Sequence, residues 1–254
     1  MIKETHHLED LTEKERLIDL LIHDLTGPLS IVATSTSNLL QKERYGVLSD
    51  RQRHAIERIG RNTHKAQTLL KEMVEIFKSG EGLFQKDLFL IEEALKESFI
   101  GALEATSPQV AENLCQAEGA KEFNRILKRH GIFFEIAGKY CQSPFCHDQK
   151  KIEQIFRNLI SNGLKYRKNR VSVSISGNKD LIGIVENDGM GIPLEEQNEI
   201  FNRFVRLERH AHIPGLGLGL PGVKALVEAM GGEITLKSKP GTGVSFMIRI
   251  PPLR

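Results

Sequence analysis

The sequence is short of several things at once, and each shortage removes a class of protein. Three cysteines in 254 residues, Cys115, Cys141 and Cys146, are too few for a disulfide framework and fit a reducing interior. No apolar run approaches the roughly 20 residues that span a bilayer, so no membrane segment is expected. The stretch from Met1 to Asp10 is polar and acidic, unlike a secretory signal. Neither charge sign dominates: Lys and Arg number 35 against 33 Asp and Glu, a formal +2. Nothing there pulls the chain toward nucleic acid or a membrane surface. A soluble, cytoplasmic protein is the expectation, long enough for one large domain or two modest ones.

Cys141, Cys146 and His147 stand close enough in sequence to begin a metal site. A structural zinc needs four ligands, however, and no second Cys/His pair stands at a standard spacing. Ordinary loop thiols are the preferred reading.

What is present begins with two helices. Leu11, Ile18, Leu21, Ile22, Leu25, Leu29 and Val32 fall in one sector when the chain turns about 100° per residue. A second helix is predicted from Ser49-Asp50-Arg51-Gln52, where Ser49 and Gln52 fit a capping box. From there Ile56, Ile59, Thr63, Ala66, Leu70, Met73 and Phe77 keep a heptad spacing. Tyr45-Gly46 reads as the turn between them. Two helices cannot enclose such a stripe, so a hairpin that dimerises into a four-helix bundle is the economical reading. A hairpin packed on its own second domain is the alternative.

Ser79-Gly80-Glu81-Gly82 breaks the second helix and divides the chain into residues 1–82 and 83–254. Beyond the break, strands and helices interleave. A short strand is expected at 88–90, a helix at 91–103, and strands at 132–136, 171–175 and 181–186. Residues 107–130 are polar and helical, with no chemistry legible in them. A helix at 221–230 ends in Gly231-Gly232, and strands at 233–237 and 244–250 close the chain. One mixed sheet covered by helices, an α/β sandwich, fits this order.

The chemistry concentrates in few places. The strand ending in Val185-Glu186-Asn187-Asp188 runs into Gly189-Met190-Gly191-Ile192-Pro193. An acid at a strand end can hydrogen-bond a base, and glycines let backbone N–H groups approach phosphates. Asn158 and Asn162, four apart on a helix, put two carboxamide oxygens on one face. Gly215, Gly217 and Gly219 alternate with leucines. His23 lies opposite the apolar sector of the first helix, with Asp19, Thr26, Gly27 and Ser30. An exposed helical histidine is ordinarily inert. Here Asp24 follows it, and Pro28 stands five residues on, a local helix cost of about 3 kcal/mol. Such departures from helical rules mark functional positions.

These segments resemble the boxes of sensor histidine kinases of two-component systems. His23-Asp24-Leu25-Thr26-Gly27-Pro28-Leu29 is similar to their H-box, and Asn158 to Asn162 with Lys165 and Tyr166 to the N-box. Asp188 with Gly189 and Gly191 resembles the first glycine box: an acid, then glycines one and three residues on. Ile200-Phe201-Asn202-Arg203-Phe204 is similar to the phenylalanine box, residues 215–220 to the second glycine box, and Gly241-Thr242-Gly243 to the last. One glycine box would be a weak signal. All of these in family order, over nearly the whole chain, are a specific one.

The resemblance implies an α+β protein. Residues 1–82 would be a HisKA-type hairpin that dimerises and accepts phosphate, and 83–254 a Bergerat-type ATP-binding sandwich. It implies Mg-ATP as phosphoryl donor, His23 as acceptor, and a response-regulator receiver domain as partner. A neutral imidazole is a competent nucleophile near pH 7. Asp24 would orient His23 or take its proton, the alternative being a solvated carboxylate. Asp188 would accept from the adenine amino group, the alternative being a turn-forming Asp before Gly. Asn162 and Asn158 would hold Mg²⁺ through oxygen, Lys165 would meet a phosphate, and Tyr166 would flank the base. Capping or solvated roles remain open for these four. Residues 205–219 would form a lid, offering the amides of Gly215, Gly217 and Gly219 at a helix N-terminus. Arg203 and Arg206 would neutralise phosphate or simply face water. Thr242 belongs to the last glycine box.

One contrast, one departure and two alternatives accompany this. Gyrase-like and chaperone ATPases, by resemblance, carry a glutamate base four residues before the metal-binding Asn. That position is Asn158, which favours transfer to His23 over hydrolysis. Gly27 stands where many family members carry the Thr or Asn tied to phosphatase activity, so that activity is expected to be weak or absent. A non-catalytic phosphotransfer or scaffold protein with a decayed ATP domain is the alternative function, and a simple ATPase the third. No sensor module is legible before residue 11, so the stimulus is expected from a separate sensor protein, a very short N-terminal segment or residues 107–130.

Overall fold

The computed structural model describes residues 24–41, 46–78, 84–104, 106–202 and 219–253. His23, Tyr45, the 79–82 breaker, Arg203, Phe204, Arg206, Gly215 and Gly217 lie outside them, as do Leu11, Ile18, Leu21 and Ile22. Contacts divide the chain into two compact units, Met1–Lys78 and Ser79–Arg254.

In the first unit, residues 24–39 form the described part of α1, which runs through Pro28. Gly46, at φ +81°, takes the left-handed conformation that a side chain would resist, and ends the connection to α2 (Asp50–Lys78). The expected capping box is formed. Gln52 Oε1 accepts the Ser49 N–H at 3.0 Å, while the Gln52 N–H faces Ser49 Oγ at 3.4 Å. The helices meet where the Gly60 backbone leaves room for Thr36 and where Gln67 donates to Ser30 at 3.5 Å. Ser30, expected on the solvent side, thus touches α2. Among the described residues of this unit only Thr36 and Thr63 are buried. Leu25, Ile31, Val32, Leu39 and Ile59 are exposed, and the side chains of Met73 and Phe77 lie outside the described set.

The second unit runs β1 (Asp87–Phe89), α3 (Ile91–Glu104), α4 (Pro108–Cys115), α5 (Gly119–Arg129), β2 (Ile132–Ile136), β3 (Phe145–His147), α6 (Gln149–Tyr166), β4 (Val171–Ser176), β5 (Leu181–Asn187), α7 (Gly219–Ala229), β6 (Glu233–Lys239) and β7 (Gly243–Ile250). Its main sheet has the order β2-β4-β5-β7-β6, parallel only between β2 and β4. The alternation in Val171-Ser-Val-Ser-Ile-Ser explains β4: Val171, Val173 and Ile175 are buried, and the serines look the other way. A mixed sheet covered by helices is what the sequence order predicts. β1 and β3 pair in a separate two-stranded ribbon that the sequence did not reveal. α4 and α5, expected as polar helices, also bury Ala111, Leu114, Phe123 and Leu127 in the core.

α6 organises the unit. Asp148 caps it, accepting the Lys151 N–H at 3.0 Å. Ile152, Ile155, Phe156, Leu159, Ile160 and Gly163 face the core, each large side chain contributing about 1.5–3 kcal/mol by leaving water. Phe156 reaches β5 at Gly183, where a methyl group would fall 2.6 Å from the ring. The missing side chain of Gly183 is what seats the helix.

Just before α6, His147 is 1% exposed, stacked on Phe145 at 6.0 Å with the edge of Phe84 at 5.4 Å. Its Nδ1 accepts the Asp148 N–H at 2.9 Å, so the ring is neutral with its proton on Nε2. Burial lowers its pKa, and the Asp148 charge only partly opposes that. The unfolded chain, titrating near 6.5, therefore binds more protons than the native state below that pH. Stability is full above about pH 6.5 and declines as pH falls toward the folded pKa. Urea midpoints should drop between about pH 7.5 and about pH 5.5 in the native sequence, and drop less in His147→Asn. Equal drops would assign the effect to other groups.

Candidate nucleotide site

Segments far apart in sequence gather along α6. Asn158 and Asn162 are both half-buried on its flank, Lys165 is exposed, and Tyr166 is the last helical residue. The start of α7 lies against the same flank: a Cβ on Gly219 would sit 3.9 Å from Asn162 Nδ2. At the far end of α6 the Tyr166 carbonyl abuts Gly189, where a Cβ would lie 2.2 Å from it. The N-box, the first glycine box and the end of the second therefore share one helix.

The glycines have a packing reason that differs from the expected approach to phosphate. Gly189 admits the Tyr166 carbonyl, Gly191 (φ +77°) the Lys239 carbonyl, and Gly243 (φ +102°) the Asn187 carbonyl. Hydrogen bonds then stitch the 189–193 loop to the β6–β7 turn. Gly241 N–H donates to Met190 O at 2.6 Å, Ile192 N–H to Ser238 Oγ at 2.9 Å, and Gln197 to Ile192 O and Ser238 O. Thr242 is exposed and bonds Lys239 O within its own turn. Phe201, the described aromatic of the phenylalanine box, packs edge-on to Phe246 at 6.3 Å under Lys224.

Asp188 and its neighbour part company at the strand end. The Asp188 carboxylate accepts the N–H groups of Lys168, Asn169 and Arg170 at 2.9–3.0 Å. Desolvation pushes its pKa up, but the backbone bonds from Arg170, Asn169 and Lys168 together hold it below the usual carboxylate value. The carboxylate thus fixes the loop after α6. Asn187, which the sequence reading left without a role, is half-buried between Val171 and Val244 in register. Its Oδ1 accepts the Gly189 N–H at 3.0 Å, beside the Tyr166 carbonyl. The signal that would have found it is the period of two along β5, which gives Asn187 the same face as Gly183 and Val185.

On the other face, which no described helix of this unit covers, a groove of about 680 Å³ is lined by Ser172, Glu186 and Ser245 and reaches Asn187, Asp188 and Thr242 at the strand ends. Asn158, Asn162 and Tyr166 take no part in it. Asp24, Thr26 and Gly27 are exposed on α1, and no atom lies within 4 Å of a Cβ placed on Gly27. Among the described residues no cluster of three or more His, Cys, Asp or Glu side chains is arranged to hold a metal ion, and no helix is long and apolar enough to cross a membrane.

Residues 147–254 match the family described as histidine kinase-, DNA gyrase B-, and HSP90-like ATPase. The chain is 29% identical over 251 residues to the adaptive-response sensory kinase SasA of Synechococcus sp. (strain JA-2-3B'a(2-13)), spanning 97% of this chain and 61% of that protein. It is 34% identical over 137 residues to the sensor histidine kinase WalK of Bacillus subtilis (strain 168), covering 51% of this chain and 21% of WalK. In fold it is similar to full-length ShkA solved with AMPPNP, at TM-score 0.65 and 20% identity over 93% of this chain and 46% of ShkA. The Acinetobacter baumannii histidine kinase AdeS follows at TM-score 0.55 and 18% identity, over 91% of this chain and 98% of that one. Residues 147–254 thus carry a histidine kinase-, DNA gyrase B-, and HSP90-like ATPase domain, and the chain is similar to sensor histidine kinases while spanning about 61% of the length of SasA.

Proposed function

We propose that the protein is a histidine kinase that moves the γ-phosphoryl group of Mg-ATP to a ring nitrogen of His23, and from there to an aspartate of a response regulator. In the first step a P–N bond forms at His23 while the bond to the β-phosphate oxygen breaks and ADP leaves. Asp24 orients the imidazole and takes up its proton. In the second step the P–N bond breaks as the receiver carboxylate becomes an acyl phosphate. The residues contribute position and charge neutralisation more than covalent chemistry.

The convergence on α6 carries this reading. Asn158 and Asn162 offer amide oxygens on one half-buried flank, a donor set that suits magnesium shared with substrate phosphates. When bound, the ion would neutralise phosphate charge. Lys165, with Arg203, would meet the phosphates, and the amides of Gly215, Gly217 and Gly219 would cover them. Tyr166, Gly189, Gly191 and Thr242 would frame the base, with Asp188 holding the loop after α6 in place. The exposed Leu25, Ile31, Val32, Leu39 and Ile59 support dimerisation through the hairpin, since two further helices would cover them. The cytoplasm is the compartment that suits this chemistry.

Incubation with γ-labelled ATP tests the reading. The protein should acquire label that is lost in acid and kept in alkali, the behaviour of phosphohistidine. Steady release of phosphate with no labelled protein would make it an ATPase instead.

A further inference from the structure

Resting on the nucleotide reading above, we propose that Gln197 is a positioning residue for ATP: with Ser238 it holds the 189–193 loop in the shape that meets the nucleotide. Neither residue belongs to the boxes quoted from the sequence. Gln197 is half-buried and closes the short 3₁₀ turn Leu194–Glu196.

Where β5 ends at Asn187 the chain leaves the sheet, and its backbone loses the ladder that satisfied its polar groups. Ile192 shows how that loss is made good. It is 8% exposed, its N–H donates to Ser238 Oγ at 2.9 Å, and its carbonyl accepts from Gln197 Nε2 at 2.9 Å. Gln197 Nε2 spends its second proton on the Ser238 carbonyl at 3.0 Å. The Ser238 hydroxyl, having accepted from Ile192, donates to the Gly243 carbonyl at 2.7 Å. The orientation of the Gln197 amide follows, because only its nitrogen can serve two carbonyl oxygens. Two side chains thus grip both backbone polar groups of one loop residue.

The grip falls one residue after Gly191. A loop with two glycines in three residues samples many shapes unless something outside it selects one. Selecting it in advance removes an ordering cost from ligand binding. In the function proposed above this loop frames the base, at the opposite end of ATP from the phosphorus that reacts. It therefore holds ground state and transition state equally. Loosening it raises the ATP concentration required without slowing transfer at saturation. A residue that served stability alone would do the reverse, lowering the thermal midpoint and the active fraction at unchanged affinity.

The test uses the full chain with Mg-ATP, following label uptake against ATP concentration and ATP binding by calorimetry. Gln197→Leu keeps the bulk and removes both protons. Its half-saturating ATP concentration and its Kd should rise about tenfold, with the limiting rate within about twofold of native. Gln197→Glu, which turns an acceptor toward two carbonyls, should do at least as much. Ser238→Ala should weaken binding too, and the double variant should lose less than the product of the two, since both side chains hold Ile192. Native affinity in the Gln197 variants overturns the proposal whatever happens to their thermal midpoints, as does a slower limiting rate at unchanged affinity. Ser238→Ala decides by the same criterion if the Gln197 variants do not fold. Should the native protein bind ATP without acquiring label, the transfer step fails and Kd alone judges Gln197. Should it bind no ATP, the nucleotide reading itself fails, and the inference with it.

Discussion

In the His23→Ala protein, incorporation of label from γ-labelled ATP is expected to fall to background while nucleotide affinity stays within about twofold of the native value. The expectation of a complete loss follows from the chemistry. An imidazole with a pKa near 6.5 is half or more unprotonated at neutral pH and can attack phosphorus, whereas a methyl group has no lone pair to offer. Affinity should be spared because His23 belongs to the Met1–Lys78 unit, and the proposed nucleotide residues that the structure describes belong to Ser79–Arg254. Scintillation counting of the isolated protein gives the first quantity and calorimetric titration of ATP the second. Label that persists at native levels would mean a different acceptor, with His54 and His64 on α2 as the first alternatives to replace.

A large effect on stability is expected at Gly191. Its φ of +77° lies in the left-handed region, which costs a residue with a Cβ about 1–2 kcal/mol. The added carbon would also stand 2.1 Å from the Lys239 carbonyl oxygen and 3.1 Å from Pro240 Cα, both backbone atoms that no rotamer can move. Shifting that turn strains the bonds that Ser238 and Gly241 make to the 189–193 loop, an overpacking cost of about 1–3 kcal/mol. Gly191→Ala should therefore lose about 2–5 kcal/mol, or about 5–15 °C in the thermal midpoint of a unit this size. Differential scanning calorimetry measures it, with Gly27→Ala as the control, since open space surrounds that position. Equal midpoints for the two variants would remove the argument.

The parts of this molecule legible in its sequence are those where one periodicity dominates. β4 alternates valine and isoleucine with serine, and β5 and β7 keep the same period, so their ends fall within a residue or two of expectation. The Ser49–Gln52 box is a local motif with a local cause, and it forms. β3 was invisible because three residues carry no period, and its pairing with β1 joins positions roughly sixty apart. α4 and α5 hide their buried side because two apolar anchors each, among many charges, make too narrow a stripe to read.

The motif residues were easier to find than their physical duties. Glycine 189, 191 and 243 were legible as a nucleotide signature, yet each admits a neighbouring carbonyl, a tertiary fact that no local window contains. The choice between Asn187 and Asp188 turned on a single step along β5. Where a side-chain period is two, one residue reverses the face, and only the register with β4 and β7 fixes which neighbour lies on the α6 side.

Asp148 makes one more property of the fold apparent. One of its carboxylate oxygens caps α6 through the Lys151 N–H, and the other accepts the Gln85 N–H at 3.1 Å, just after the chain enters the second unit. A tug on the polypeptide at residue 85 therefore arrives first at the opening turn of α6. The same eighteen-residue rod carries Asn158 and Asn162 and ends against Gly189. Mechanical load entering by this route would travel lengthwise through the helix, reaching the proposed magnesium ligands before any strand of the main sheet.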